Sequence, residues 1–170
     1  MKEILLVDGY NIIGAWESLR ILRDKDLQGA RDLLIDKMAD YQAFTGIRVI
    51  IIFDAYIVQG IEKKMKQAKV EVIFTRKNQT ADEKIEQLAI QLRKIDTRIH
   101  VATSDYTEQW AIFGQGALRK SARELEIEVQ SIEKQVRREI KEKSISKGMF
   151  EPRFSKEVTE KLEKLRRGKR

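Results

Sequence analysis

Four short apolar runs, rich in β-branched residues and each running into a polar turn, constrain the fold more than any other feature of this sequence. They are Ile4–Val7, Arg48–Phe53, Val70–Phe74 and Arg98–Ala102. Runs this short that do not alternate apolar with polar residues read as strands buried on both faces, as in a parallel sheet covered by helices. The stretches between them carry helical signals. Leu27–Thr45 places apolar residues at 30, 33, 34, 38, 41 and 44, and Gly46 stops it. Ile57–Ala68 reads as a weaker, Lys-rich helix. Thr80 is a good N-cap for Ala81–Ile95, whose Ile85, Leu88, Ala89 and Leu92 form one stripe. Asp105 can cap Tyr106–Phe113, which ends at Gly114.

Further on, Ala122, Leu125, Val129, Ile132, Val136 and Ile140 recur every three or four residues. That spacing predicts one long helix from about 118 to 143. Lys143–Ser155 interrupts the pattern with Gly148 and Pro152, and a short helix, Lys156–Arg166, follows a Ser155 cap. Strands alternating with helices indicate an α/β fold with a central parallel sheet of at least four strands. The expected organisation is one domain over 1–143 and a basic C-terminal extension over 144–170.

Composition narrows the chemistry. The chain has no Cys and one His, His100, which sits within a strand and reads as a packed residue. Disulfides, thiolate zinc sites, Cys nucleophiles and paired-histidine catalysis are thereby excluded within one chain. Hydrolytic chemistry must come from carboxylates, hydroxyls, Lys or a bound metal. No run approaches the roughly 18 apolar residues of a membrane span. Asp8 follows the first apolar run after four residues, too soon for a secretory signal, so the expected compartment is the cytoplasm.

Charge is unevenly placed. Residues 131–170 hold 14 Lys/Arg against 7 Asp/Glu, whereas 1–130 hold 20 of each, so the whole excess of +7 lies in the last quarter. A basic end of this kind suits a polyanion, usually a nucleic acid. A solvated helix face is the plainer explanation of the same charges.

Parallel α/β sheets build their sites outside the carboxyl ends of the strands. Here the first, second and fourth runs lead into Asp8, Asp54 and Asp105. The third exits through Thr75–Thr80 into a helix with Asp82 and Glu83 in its first turn. Singly, each acid has an ordinary role in a turn or a cap. Together they would crowd one edge, where like charges 4 Å apart repel by roughly 4 kcal/mol at an effective dielectric of 20. Such a cluster protonates or binds a cation, and oxygen donors without His or Cys suit Mg²⁺ or Mn²⁺. A site of that type hydrolyses phosphodiesters. Gly9 permits a tight strand-to-helix turn, and Asn11, one turn past Asp8, can orient an acid or simply cap the helix. Arg76 and Lys77 precede Asp82 and can meet substrate phosphates. Arg119, Lys120 and Arg123 open the long helix and can bind RNA. Trp110 and Phe113 read as core before base platforms.

Several stretches resemble a known family. Ile4-Leu5-Leu6-Val7-Asp8-Gly9-Tyr10-Asn11 is similar to the opening of NYN domains, a branch of the PIN-like nucleases. Thr80-Ala81-Asp82 and Ala102-Thr103-Ser104-Asp105 match the later acidic motifs in order. Ser104-Asp105-Tyr106-Thr107-Glu108-Gln109-Trp110, with Gly114-Gln115-Gly116-Ala117 and Arg119-Lys120-Ser121-Ala122-Arg123-Glu124, resembles the YacP-like bacterial branch. The resemblance implies a three-layer PIN-like fold and metal-dependent endoribonuclease activity. It implies Asp8, Asp82 and Asp105 as metal-binding catalytic acids with Asn11 beside them, and Asp54 fits the same edge. It further implies mRNA as substrate and the ribosome as partner.

Two other readings compete. A catalytically silent module docking on RNA or ribosomes would explain the basic tail but not the acids, which repel phosphates unless a cation bridges them. A phosphatase or phospho-receiver also puts acids at strand ends. However, Asp8-Gly9-Tyr10 lacks the second Asp two residues on that Asp-nucleophile phosphatases need, and no Walker loop is present.

Overall fold

Each of the four apolar runs forms a strand. The computed structural model describes residues 1–55, 63–67, 69–104, 116–150, 164 and 166, with backbone alone at 63–67 and 146–150. In chain order the elements are β1 (Lys2–Asp8), α1 (Gly9–Ala15), α2 (Glu17–Lys25), α3 (Leu27–Thr45), β2 (Arg48–Phe53), β3 (Lys63–Gln67), β4 (Val70–Phe74), α4 (Ala81–Gln91), β5 (Thr97–Ala102), β6 (Leu118–Lys120) and α5 (Ala122–Phe150). They build a sheet in the order β3-β4-β2-β1-β5-β6. The five strands from β4 to β6 are parallel, and β3 runs antiparallel at one edge. The chain divides into two compact units, Met1–Ile132 and Glu133–Arg170, and the sheet belongs to the first.

Burial explains the unbroken apolar runs. Ile4 and Leu6 of β1, Ile50 and Ile52 of β2 and Ile99 and Val101 of β5 pack with Ile85, Leu88 and Ala89 of α4 on one face. Alternation along the strands turns Leu5, Val7, Val49, Ile51 and Phe53 to the other face. Those five are also buried, as are Ile12, Ile13, Leu34 and Met38 of α1 and α3. Each fully buried Ile or Leu stabilises the fold by roughly 1.5–3 kcal/mol. The resulting three layers place β1 at the centre, flanked by β2 and β5.

Local signals set the helix ends. Asp26 Oδ1 accepts from the Gly29 N–H at 2.9 Å to start α3, and Gly46 closes it in the left-handed region at φ 75°. Thr80 Oγ1 accepts from the Glu83 N–H at 3.2 Å to start α4. That helix ends at Gln91, short of the expected Ile95, where Leu92 N–H turns back onto Leu88 and Ile90 carbonyls.

Other expectations are corrected. The Lys-rich segment expected as a helix over 57–68 contains β3 at Lys63–Gln67; residues 56–62 and 68 lie outside the described residues. A Lys-rich strand suits a sheet edge, where charge discourages pairing with a further chain. Residues 118–120, expected to open the long helix, instead extend the sheet as β6. The Thr103 N–H donates to Lys120 O at 3.3 Å, and Ser121 Oγ accepts from the Glu124 N–H at 3.1 Å, so α5 starts only after Ser121. It then runs to Phe150, through the Gly148 expected to interrupt it. Helices α1 and α2 were not anticipated individually. The helices expected over 106–113 and 156–166 fall wholly or mainly outside the described residues. Among the described residues no helix is long and apolar enough to cross a membrane.

Candidate active site at the carboxyl edge of the sheet

From β1 the chain proceeds first to β2 on one side and later to β5 on the other. This reversal makes the β1/β5 boundary the switch point of the sheet, where open α/β folds bind ligands. The register brings the strand exits level. Val7 pairs with Ala102 and Asp8 with Ile52, so Asp8, Asp54 and Thr103 leave neighbouring strands at one edge.

Asp8 closes β1 and is only 7% exposed. It occupies the N-cap position of α1, yet its side chain makes no capping hydrogen bond. Side-chain capping of α1 therefore does not account for Asp8. Gly9 follows, and the structure changes the reason for it. Its φ is not positive. A Cβ at this position would lie 2.3 Å from Phe53 Cε1, so the glycine lets α1 approach the Phe53 ring. That ring sits between two others, with the tilted Tyr10 centroid at 4.9 Å and the stacked Phe74 centroid at 5.4 Å.

Asp54 and Asp82 come from the other side of β1. Asp54 Oδ2 accepts a long, 3.4 Å hydrogen bond from the Ala81 N–H at the start of α4, tying the β2 exit to the turn that carries Asp82. Since Thr80 caps this helix, the exposed Asp82 carboxylate is not its cap. The fully buried Thr75 braces the same corner: its Oγ1 accepts from the Ala55 N–H at 2.9 Å, and its N–H donates to Phe53 O at 3.0 Å.

Asn11 holds the β5 exit. Its Oδ1 accepts from Ser104 N–H at 2.5 Å, Ser104 Oγ at 2.6 Å and Thr103 Oγ1 at 3.2 Å. The Ser104 amide can only donate, which fixes the side chain with its carbonyl toward the turn. Asn11 thus anchors the two residues immediately before Asp105. Asp105 itself lies outside the described residues, as do Trp110 and Phe113. Among the described residues, no three His, Cys, Asp or Glu side chains are grouped to hold a metal ion.

A buried cation beside this edge escaped sequence reasoning. Arg31 is 8% exposed; it donates to the Tyr10 hydroxyl at 3.0 Å and to Gln28 Oε1. Burial holds the Tyr10 phenol above its ordinary pKa, the Arg31 guanidinium opposes this, and the nearby Asp54 charge adds to it. The overlooked signal was a charged residue between Ala30 and Leu34, inside the apolar arc of α3.

The basic residues divide. Arg76 and Lys77 are exposed in the turn before α4. Arg119 and Arg123 line a cleft of about 560 Å³ with Thr103, Ser104, Ser121 and Trp16. The Trp16 Nε1–H donates to Ala122 O at 2.8 Å, closing one wall. Lys120 is engaged elsewhere: Nζ lies 2.8 Å from both Glu128 carboxylate oxygens and 3.4 Å from the Tyr41 hydroxyl. His100 is packed beside Glu3, 3.5 Å from its Oε1, well back along β5.

A family model described as YacP-like NYN domain matches residues 5–167. The chain is 58% identical over 166 residues to a Bacillus subtilis protein called uncharacterized protein YacP, covering 98% of both chains. It is also similar to the crystal structure of Rae1 (YacP) from Bacillus subtilis, with a TM-score of 0.77, 58% identity and coverage of 97% and 95% of the two chains. A mutant of that protein matches over 83% and 82% of the chains with a TM-score of 0.74. An edge built on Asp8 and Asn11, the α/β layers around it and this near full-length similarity agree: the chain belongs to the YacP-like NYN domain family, a nuclease-type branch of the PIN-like superfamily.

Proposed function

We propose that this protein is a divalent-metal-dependent endoribonuclease that cleaves mRNA on translating ribosomes in the cytoplasm. The observation that carries the reading is Asp8, a nearly buried carboxylate on the central strand that does not cap the helix it precedes. Burying a carboxylate is costly, and such acids in a cleft at a strand end are common catalytic groups. The family supports a nuclease, and the ribosome rests on the resemblance of the motifs to the YacP-like branch.

The donor chemistry fits a hard cation. Asp8, Asp82 and Asp105 would hold Mg²⁺ or Mn²⁺, with Asp54 at the same edge, and neither Cys nor His is at hand to favour a softer metal. Such an ion, when bound, supplies Lewis acidity and a water of lowered pKa. Asn11 positions the turn that leads into Asp105. Arg119 and Arg123 on one side, and Arg76 and Lys77 on the other, would neutralise phosphates flanking the scissile one. Lys120 supports β6 from its pairing with Glu128. Attack in line on phosphorus breaks the P–O3′ bond, leaving a 5′-phosphate and a 3′-hydroxyl. The basic segment 144–170 serves as a dock on ribosomal RNA.

The test is purified protein incubated with translating ribosomes and an mRNA substrate, with and without Mg²⁺. Cleavage should need the metal and vanish in Asp8→Asn. Cutting that persists in EDTA, or in that variant, would sink the mechanism. Truncation after Lys143 should release the protein from ribosomes, and unchanged association would remove the docking role.

A further inference from the structure

The cleft beside the switch point contains a residue that phosphate binding does not explain. It is lined by Arg119 and Arg123, by Thr103 and Ser104 of the turn that Asn11 holds, and by Glu126 and Ile127. Arg123, Glu126 and Ile127 occur at i, i+3 and i+4 of α5 and so share one face of that helix. Arg123 and Glu126 form no ion pair with another described residue. Ile127 is 56% exposed, a branched apolar surface at the cleft wall.

Two guanidiniums suit a nucleic-acid backbone, but a carboxylate repels it. A carboxylate is useful in such a cleft only where it meets hydrogen-bond donors; in a single RNA strand the ribose 2′-hydroxyl offers one, and adjacent N–H pairs occur only on the bases. Its two parallel acceptor oxygens match two adjacent N–H donors. Of the four RNA bases, only guanine presents such a pair on its Watson–Crick edge, N1–H beside N2–H₂. Uracil offers one donor flanked by two acceptors, which a carboxylate repels. Adenine and cytosine each offer one amino group beside an unprotonated ring nitrogen. Unstacked bases read on this edge and packed against a guanidinium or apolar side chain are the common mode of single-strand recognition.

We propose that this cleft binds an unpaired guanine of the RNA substrate next to the scissile phosphate. Glu126 accepts from N1–H and N2–H₂, Ile127 packs against the ring, and Arg119 and Arg123 hold the adjoining phosphates. The inference rests on the nuclease reading, because it takes RNA to be the strand at this edge.

Fluorescence anisotropy tests it, using the full chain carrying Asp8→Asn so that strands stay whole. The probes are labelled RNA hexamers UUUGUU, UUUAUU, UUUCUU and UUUUUU. The guanine strand should bind roughly tenfold tighter than the other three, the lower range for a bidentate base contact. Glu126→Ala and the isosteric Glu126→Gln should each bring the four strands to similar affinity, whereas Arg123→Ala should weaken all four alike. Equal affinities for the four strands before Glu126 is changed, no binding of any strand, or a guanine preference that survives both Glu126 variants overturns the proposal. Equal affinities in a protein that still cuts mRNA would leave the nuclease reading standing. A guanine preference in a chain that never cuts would sink that reading and keep the cleft.

Discussion

The two ends of the sheet treat their carboxylates in opposite ways. At the amino end the two strand acids, Glu71 and Glu3, meet basic side chains. Glu71 Oε2 and Oε1 accept from Arg48 Nε and Nη2 at 2.6 and 2.7 Å, and Glu3 lies 3.7 Å from Arg98 and 3.5 Å from His100. The hydrogen bond to Glu71 holds the Arg48 guanidinium above even its ordinary pKa. At the carboxyl end Asp8 and Asp54 leave neighbouring strands and Asp82 opens α4, and amides and hydroxyls tie these exits: Ala81 to Asp54, Thr103 and Ser104 to Asn11. One edge is closed by ion pairs between strands, and the other is tied to the turns and helices that follow it. Under the proposed function, that contrast separates acids that steady the sheet from acids that serve the chemistry.

The largest effect expected from breaking this contrast is at Asp8. Asp8→Asn should lower kcat/KM for mRNA cleavage by roughly a thousandfold, or ~4 kcal/mol of transition-state stabilisation, while the urea midpoint holds or rises. A large loss of stability would instead make Asp8 a structural acid like Glu71. Gly9→Ala comes next: forcing a methyl into the Phe53 ring should destabilise the fold by about 1–3 kcal/mol in urea titration, with a matching fall in midpoint. Asn11→Ala should reduce cleavage about 10–100-fold, the range for residues that orient metal ligands, with a smaller effect on stability. Full activity in this variant would detach the β5 exit from the site. The smallest effect belongs to Glu71→Gln, which should cost no more than about 1 kcal/mol, fade further in 0.5–1 M salt, and leave cleavage unchanged.

Much of this frame was legible in the sequence, for a physical reason. The central strands are buried on both faces, so they stand out as unbroken apolar runs, and β2 and β4 begin and end where the pattern does. Helix α3 was equally clear because Gly46 supplies the left-handed residue that ends it. Edge strands carry no such mark. β3 has one neighbour and a row of lysines, so its composition resembles a solvated helix. β6 is three residues long and runs straight into α5, so no break in the pattern marks where the strand stops. The capping pair Ser121 and Glu124 was the local signal that separates them.

At the candidate site, the positions of Asp8, Asp54, Asp82 and Asn11 were legible because each ends or follows a strand or falls in the first turn of a helix. The task of Asn11 was not, since Ser104 lies 93 residues away. Arg119 and Lys120 looked equivalent as neighbouring cations. Alternation on β6 sends them to opposite sides, one lining the cleft and the other meeting Glu128.

The bond between Asn11 and Ser104 also sets an order of events in synthesis. Asp8 and Asn11 are made early relative to their partners, since the hydroxyls and amide that Asn11 needs follow more than ninety residues later. β1 must also wait for β5, its partner on that side. Pairings this distant in sequence carry a large closure entropy and form late. A growing chain therefore carries Asp8 without the turn that Asn11 holds, and this edge of the sheet is assembled only once β5 has been made.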